Sequence, residues 1–227
     1  MCIRDSLYFL GLGVSKHRDS RLNLNYAHKD ARDLGEAFRA FRGSAFKDVH
    51  VAVRVNEEVT RDGIAKAKDF LRDAKVDDAV ILFVAGHGTH TRDSAADYFF
   101  VTHDVDVRRL RDTAAPFTLI EDLLQEIAPR RKLFLMDTCE SGDKDDDRGA
   151  VRAGGPGARG LRTRSTRALV LDASSDAVVL PLSALIEGRE RFIYNDLARR
   201  TGAVVFSSSR GNELSFERDD LQNGVFT

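Results

Sequence analysis

Ala79-Val80-Ile81-Leu82-Phe83-Val84-Ala85-Gly86-His87-Gly88 sets the six-residue apolar run Ala79 to Val84, and then Ala85, before an imidazole flanked by two glycines. Three of the six are β-branched, and a run of that length and composition predicts a strand buried on both faces, as in a parallel sheet covered by helices. A second run, Lys132 to Met136, leads into Asp137-Thr138-Cys139-Glu140-Ser141-Gly142. Each run therefore presents a reactive side chain, an imidazole or a thiol, at a strand exit. In a parallel α/β sheet all strand C-termini lie along one edge, so residues just past neighbouring strands meet in one crevice. A Cys-His pair needs that meeting, because the thiolate is the nucleophile and a free thiol is mostly protonated at neutral pH.

Outward from these runs, strand and helix periods alternate. Leu7 to Val14 predicts a strand, and Asp30 to Phe41 a helix with Ala31, Leu34, Ala37, Phe38 and Phe41 on one face. Val49 to Val55 predicts a second strand. Thr60 is an N-cap candidate for a helix whose buried face is Ile64, Ala67, Phe70 and Leu71. Tyr98 to Thr102 reads as an edge strand or a hairpin piece. Thr118-Leu119-Ile120-Glu121 fits a capping box opening a helix through Leu124 and Ile127, closed by Pro129. Residues 143–167 break the pattern: Asp143, Asp145, Asp146 and Asp147 precede five glycines and six arginines, which reads as a long flexible loop. A weak strand at Ala168 to Leu171, a helix from Phe192 to Arg200 ended by Gly202, and a strand at Ala203 to Ser207 follow. The alternation predicts an α/β fold, a mainly parallel sheet sandwiched between helices.

The chain has 227 residues, 42% of them hydrophobic and 31% charged, enough for one domain with a sizeable core. Its 35 Lys and Arg balance 36 Asp and Glu, so bulk charge does not point to nucleic acid or anionic lipid. No apolar run approaches the length of about 18 residues needed to cross a membrane, and a cytoplasmic protein is expected. Met1-Cys2-Ile3-Arg4-Asp5-Ser6 matches a read-through of a transposase mosaic-end sequencing tag and is set aside from the fold. Cys139 is then the sole native cysteine, which excludes an internal disulfide framework and leaves packing or chemistry. Its polar, loop-like neighbours favour chemistry. The chain is expected to be a piece of a longer reading frame with further flanking domains.

The motifs resemble the caspase and metacaspase superfamily from Leu7 to the last residue. Ile81 to Gly88 resembles the family strand ending in Gly-His-Gly, and Leu133 to Gly142 resembles the metacaspase strand ending in Asp-Ser/Thr-Cys-x-Ser-Gly. The 52-residue separation of His87 and Cys139 matches the known caspase spacing. Asn25 to Asp33 resembles the segment that opens the first helix, Tyr98 to Asp104 the stretch after the histidine, and Asn223 to Thr227 the small-subunit segment before the final helix. The resemblance divides the chain into a large-subunit-like part (7–142), a linker (143–167) and a partial small-subunit-like part (168–227).

What the resemblance implies is a cysteine endopeptidase acting on proteins or peptides. Cys139 would attack the carbonyl, His87 would carry the proton, and backbone N–H groups of Gly88 and Cys139 would hold the oxyanion. Caspases proper cut after Asp, whereas metacaspases prefer Arg or Lys, and their pocket carboxylates match Asp30 and Asp137. A buried carboxylate facing a guanidinium gains a charge-assisted contact. The chain departs from the metacaspase pocket at Ala85, where Ser is usual, and near Ala27, where a Cys is usual. The linker arginines Arg148, Arg152, Arg159, Arg162, Arg164 and Arg167 are candidate self-cleavage sites, since proteolysis concentrates in exposed flexible loops.

Other readings of the same residues stand beside these. Asp30 also suits the first turn of a helix on dipole grounds, and Asp137 also suits a loop-orienting role. The acidic cluster Asp143 to Asp147 fits either a solvated loop or Ca²⁺, as in several metacaspases; no other cofactor and no protein metal site is expected. His87, His90, Asp93, His103 and Asp104 offer ligands for a metal-dependent hydrolase, but without helical spacing or an intervening Glu. A catalytically idle module that binds through its Arg/Gly loop is the remaining alternative, with salt-sensitive binding as its mark.

Overall fold

A computed structural model describes residues 5–90, 97–138, 161–163, 193–208 and 215–227. Five strands form the central sheet: β1 (Leu7–Gly13), β2 (Val49–Val55), β3 (Ala79–Gly86), β7 (Arg131–Thr138) and β9 (Ala203–Ser207). Their order is β2-β1-β3-β7-β9 and every pairing is parallel, as the two apolar runs predict. Small strands form two further sheets among the described residues. Gly88–His90 (β4), Tyr98–Phe100 (β5) and Ala115–Pro116 (β6) form one antiparallel sheet, and Leu161–Thr163 (β8), Phe216–Arg218 (β10) and Asn223–Gly224 (β11) form another.

Alternation along the strands divides the core into two layers. Leu7, Phe9, Ile81, Phe83 and Ala85 face α1 (Ala27–Arg39), whose Ala27 and Ala31 are buried against them. Leu10, Leu12, Val80, Leu82 and Val84 face the other side, where Ile64, Ala67 and Leu71 of α2 (Arg61–Arg72) pack. A one-turn helix α3 (Leu110–Thr113) precedes α4 (Phe117–Asp122), and α5 (Ile193–Thr201) precedes β9. Phe117, Ile120 and Leu197 join α2 in that second layer, so helices cover both faces. Phe9, Phe83 and Phe134 are fully enclosed, each worth about 1.5–3 kcal/mol of burial.

Local signals explain most boundaries. The Thr60 side chain accepts the Gly63 N–H at 3.0 Å, the predicted N-cap of α2. Gly202, at φ +70°, ends α5 and donates to the Ala198 carbonyl at 2.8 Å. The Thr118 capping box does not form. The helix starts at Phe117, two residues before the Leu119 that a Thr118 cap requires, because Ala115–Pro116 pairs with β5 and delivers the chain straight into the turn; it ends at Asp122 rather than running through Ile127. Residues 161–163, expected within a flexible loop, form β8 instead, drawn into pairing with β10. The expected strand at 168–171 lies outside the described residues.

Candidate active site

Parallel register places the two exits side by side. Ala85 is opposite Asp137 and Gly86 opposite Thr138, so the residues that precede His87 and Cys139 are direct partners in adjacent strands about 4.8 Å apart. Cys139 itself lies outside the described residues. Gly86 has φ +151°, and a Cβ there would press at 3.0 Å on the Phe100 ring, so only glycine turns the chain from β3 into β4 at this point. Thr138 is buried and shares a hydrogen bond of 2.5 Å with the Tyr98 hydroxyl, which pins the end of β7 to β5.

His87 is buried, and its Nε2 lies 2.8 Å from the Leu22 carbonyl oxygen. A carbonyl only accepts, so Nε2 carries the proton, and in the neutral ring Nδ1 holds the basic lone pair. The carbonyl is held by its loop. Ser15 and Lys16 donate their backbone N–H groups to Asn56 Oδ1 at 3.0 and 2.9 Å, His17 donates its own to Asn23 Oδ1 at 2.8 Å, and Leu24 donates to the Ser15 carbonyl. The Leu22 side chain is buried among Phe99, Val101, Val105 and Ala114. This fixed carbonyl has no sequence signature.

His17 lies beside His87, with ring centroids 5.5 Å apart and the planes tilted by 34°. Its Nδ1 donates to the Thr102 carbonyl at 3.0 Å. Burial, and then the neighbouring His87, push its pKa down to about 4, so the ring is neutral at pH 7. His17 is thus held between the Thr102 carbonyl and the His87 ring. Gly88 opens β4. The His87 carbonyl accepts from Val101 at 3.0 Å, and by strand alternation the Gly88 N–H points away from β5.

Asp30 and Asp137 are both completely buried. Gly224 of β11 donates its N–H to Asp30 Oδ1 at 2.9 Å, and the Ser215 hydroxyl, next to β10, donates to Asp137 Oδ1. Since β10 and β11 pair, one C-terminal hairpin addresses both carboxylates. The same hairpin sends Glu217, 1% exposed, to the start of α1, where its carboxylate accepts the N–H groups of Asn25, Tyr26 and Ala27 at 2.8, 2.8 and 3.1 Å. That is a helix cap supplied by a residue 190 positions away. Sequence reasoning missed Ser215 and Glu217.

A caspase-domain family model matches residues 10–227. The chain belongs to the caspase-domain family of cysteine peptidases. Among solved structures, the caspase domain resembles protein GSU0716 from Geobacter sulfurreducens, with a TM-score of 0.57 and 20% identity over 98% of this chain and 78% of that one. At that identity the likeness concerns the fold. No curated protein matches the sequence significantly.

The remaining sequence candidates fall as follows. Arg148, Arg152, Arg159, Arg164, Arg167 and the acidic cluster Asp143 to Asp147 lie outside the described residues, and Arg162 is described only as part of β8. Of the rival metal set, His87 and His103 direct a ring nitrogen to the backbone carbonyls of Leu22 and Lys16, and Asp104 accepts from Thr102; Asp93 lies outside the described residues. Among the described residues no three His, Cys, Asp or Glu side chains converge on a metal-sized site. Nor is any described helix long and apolar enough to cross a membrane.

Proposed function

We propose that this caspase domain is an endopeptidase that uses Cys139 and His87 and cleaves after Arg or Lys. The observation that carries the reading is the Gly86–Thr138 register, which brings the strand exits before the two residues into adjacency. His87 Nδ1 takes the Cys139 thiol proton, since Nε2 is committed to Leu22. The thiolate attacks the scissile carbonyl, and the Gly88 and Cys139 N–H groups stabilise the oxyanion. The imidazolium then protonates the leaving amine, and water hydrolyses the thioester. Asp30 and Asp137 form the floor of the pocket for a basic side chain, where desolvated carboxylates discriminate strongly against an acidic one. Segment 148–167 is the enzyme's own first substrate.

A panel of fluorogenic peptides differing only at the residue before the scissile bond tests this. Turnover of the Arg and Lys members, lost in Cys139→Ala, is expected. Cleavage after Asp alone would refute the pocket, and chelator-sensitive, alkylation-resistant activity would refute the thiol mechanism.

A further inference from the structure

His17 is a buried titratable group that the mechanism above does not use. It is 5% exposed, it stands in the loop after β1, and its ring centroid lies 5.5 Å from that of His87. Its hydrogen bonds say more than its position. The backbone N–H donates to Asn23 Oδ1 at 2.8 Å, and Nδ1 donates to the Thr102 carbonyl at 3.0 Å. Asn23 follows Leu22, whose carbonyl accepts from His87 Nε2, and Thr102 follows Val101, whose N–H donates to the His87 carbonyl.

These four hydrogen bonds close a circuit. From the His87 ring it runs through Leu22 and Asn23 to the His17 backbone, and from the His17 ring through Thr102 and Val101 back to the His87 main chain. One segment therefore holds the His87 side chain and another holds its backbone, and His17 ties the two together. Its neighbours reinforce the tie: the Lys16 carbonyl accepts from His103 Nδ1 at 2.7 Å, and Arg18 donates its N–H to the His103 carbonyl at 2.8 Å. The ring chemistry fits the same role. With the Nδ1 proton committed to a carbonyl, Nε2 of the neutral ring only accepts, and it has no hydrogen-bond partner among the described residues. His17 thus sets neither a positive charge nor a competing donor beside the imidazole that is to carry a proton.

Resting on the endopeptidase reading above, we propose that His17 is a positioning residue for His87: its Nδ1–H bond to Thr102 ties the loop that carries Leu22 to the segment that carries Val101, and so fixes the orientation in which His87 moves its proton. A misplacement of about 1 Å in a reacting group can cost 10²-fold in rate, so slack in this circuit is felt in the chemical step rather than in substrate binding.

Two variants separate positioning from packing. His17→Phe keeps an aromatic ring in the space but has no donor for Thr102, whereas His17→Asn loses the ring and carries an amide N–H at the δ position. Both are compared with wild type and Cys139→Ala by thermal unfolding and by steady-state kinetics on the fluorogenic peptide that wild type cleaves best. His17→Phe should lower kcat about tenfold with KM within about twofold of wild type. His17→Asn should keep kcat within about threefold, even though the space left by its ring lowers thermal stability. Activity then follows the donor and not the packing. An unchanged kcat in His17→Phe, or a kcat in His17→Asn no higher than in His17→Phe, would overturn the proposal and leave the endopeptidase reading standing. Wild-type chain without any turnover that Cys139→Ala abolishes would overturn that reading, and the proposal with it.

Discussion

His87 and Leu22 are joined by a 2.8 Å hydrogen bond from Nε2 to the main-chain carbonyl, and this bond fixes which nitrogen of the ring is basic. A residue whose own side chain is buried in an apolar cluster thus orients the candidate proton carrier through its backbone.

Replacing His87 by Gln should lower kcat for an Arg peptide by about 10³-fold while thermal stability barely moves, because proton transfer is lost and no cavity is made. Asn23→Ala, which frees the loop carrying Leu22, should lower kcat by about tenfold with KM nearly constant. Steady-state kinetics on both variants checks this. An unchanged kcat in His87→Gln would remove His87 from the reaction.

Asp137→Asn keeps an oxygen that can accept the Ser215 hydroxyl and removes only the charge. It should reduce kcat/KM for Arg peptides by about 10²-fold, the scale of losing one partner of a buried charge pair, with a much smaller change in denaturant midpoint. Equal losses for Arg peptides and for an uncharged control peptide would assign Asp137 to loop orientation.

The cap on α1 predicts a stability effect. Glu217→Ala strips a carboxylate from three backbone donors and should cost about 3 kcal/mol in equilibrium unfolding. A cost under about 0.5 kcal/mol, the range of an ordinary surface change, would show that the contacts are dispensable.

His17 couples stability to pH. Its imidazole titrates near 6.5 when unfolded and at about 4 when folded, chiefly from burial, so between those values the unfolded chain binds the extra proton. The contribution is complete above pH 6.5 and is lost as pH falls toward 4, amounting in full to about 3 kcal/mol. Unfolding free energies of wild type and His17→Gln at pH 7 and pH 4.5 measure it. The wild-type advantage should shrink by about 2–3 kcal/mol at the lower pH, and a constant difference would mean that the ring titrates normally.

Legibility divides along the range of the interactions. The strand at Val49–Val55 and the Thr60 cap follow from residues within a few positions, and the sequence reading places both where they occur. The apolar runs before His87 and Cys139 were legible because burial on two faces leaves few compositions open. The Thr118 box misleads because local capping yields to a long-range fact, the pairing of Ala115–Pro116 with β5 and the burial of Phe117. Leu22 contributes a carbonyl, which every residue has, and Glu217 meets α1 across 190 positions; neither leaves a periodic trace.

The reach of Glu217 also orders events during synthesis. Residues 7–39 supply β1 and α1 early, yet the donors at the head of α1 meet their carboxylate, and Asp30 meets Gly224, only after more than 180 further residues have been made. At ribosomal speeds of about 5–20 residues per second, that is a delay of roughly 10–40 seconds. His87 and Cys139 are both made within that interval, ahead of the hairpin that hydrogen-bonds Asp30 and Asp137. The two buried carboxylates therefore gain these partners only after both candidate reactive residues have been synthesised, and the halves of the candidate site are joined late in the order of synthesis.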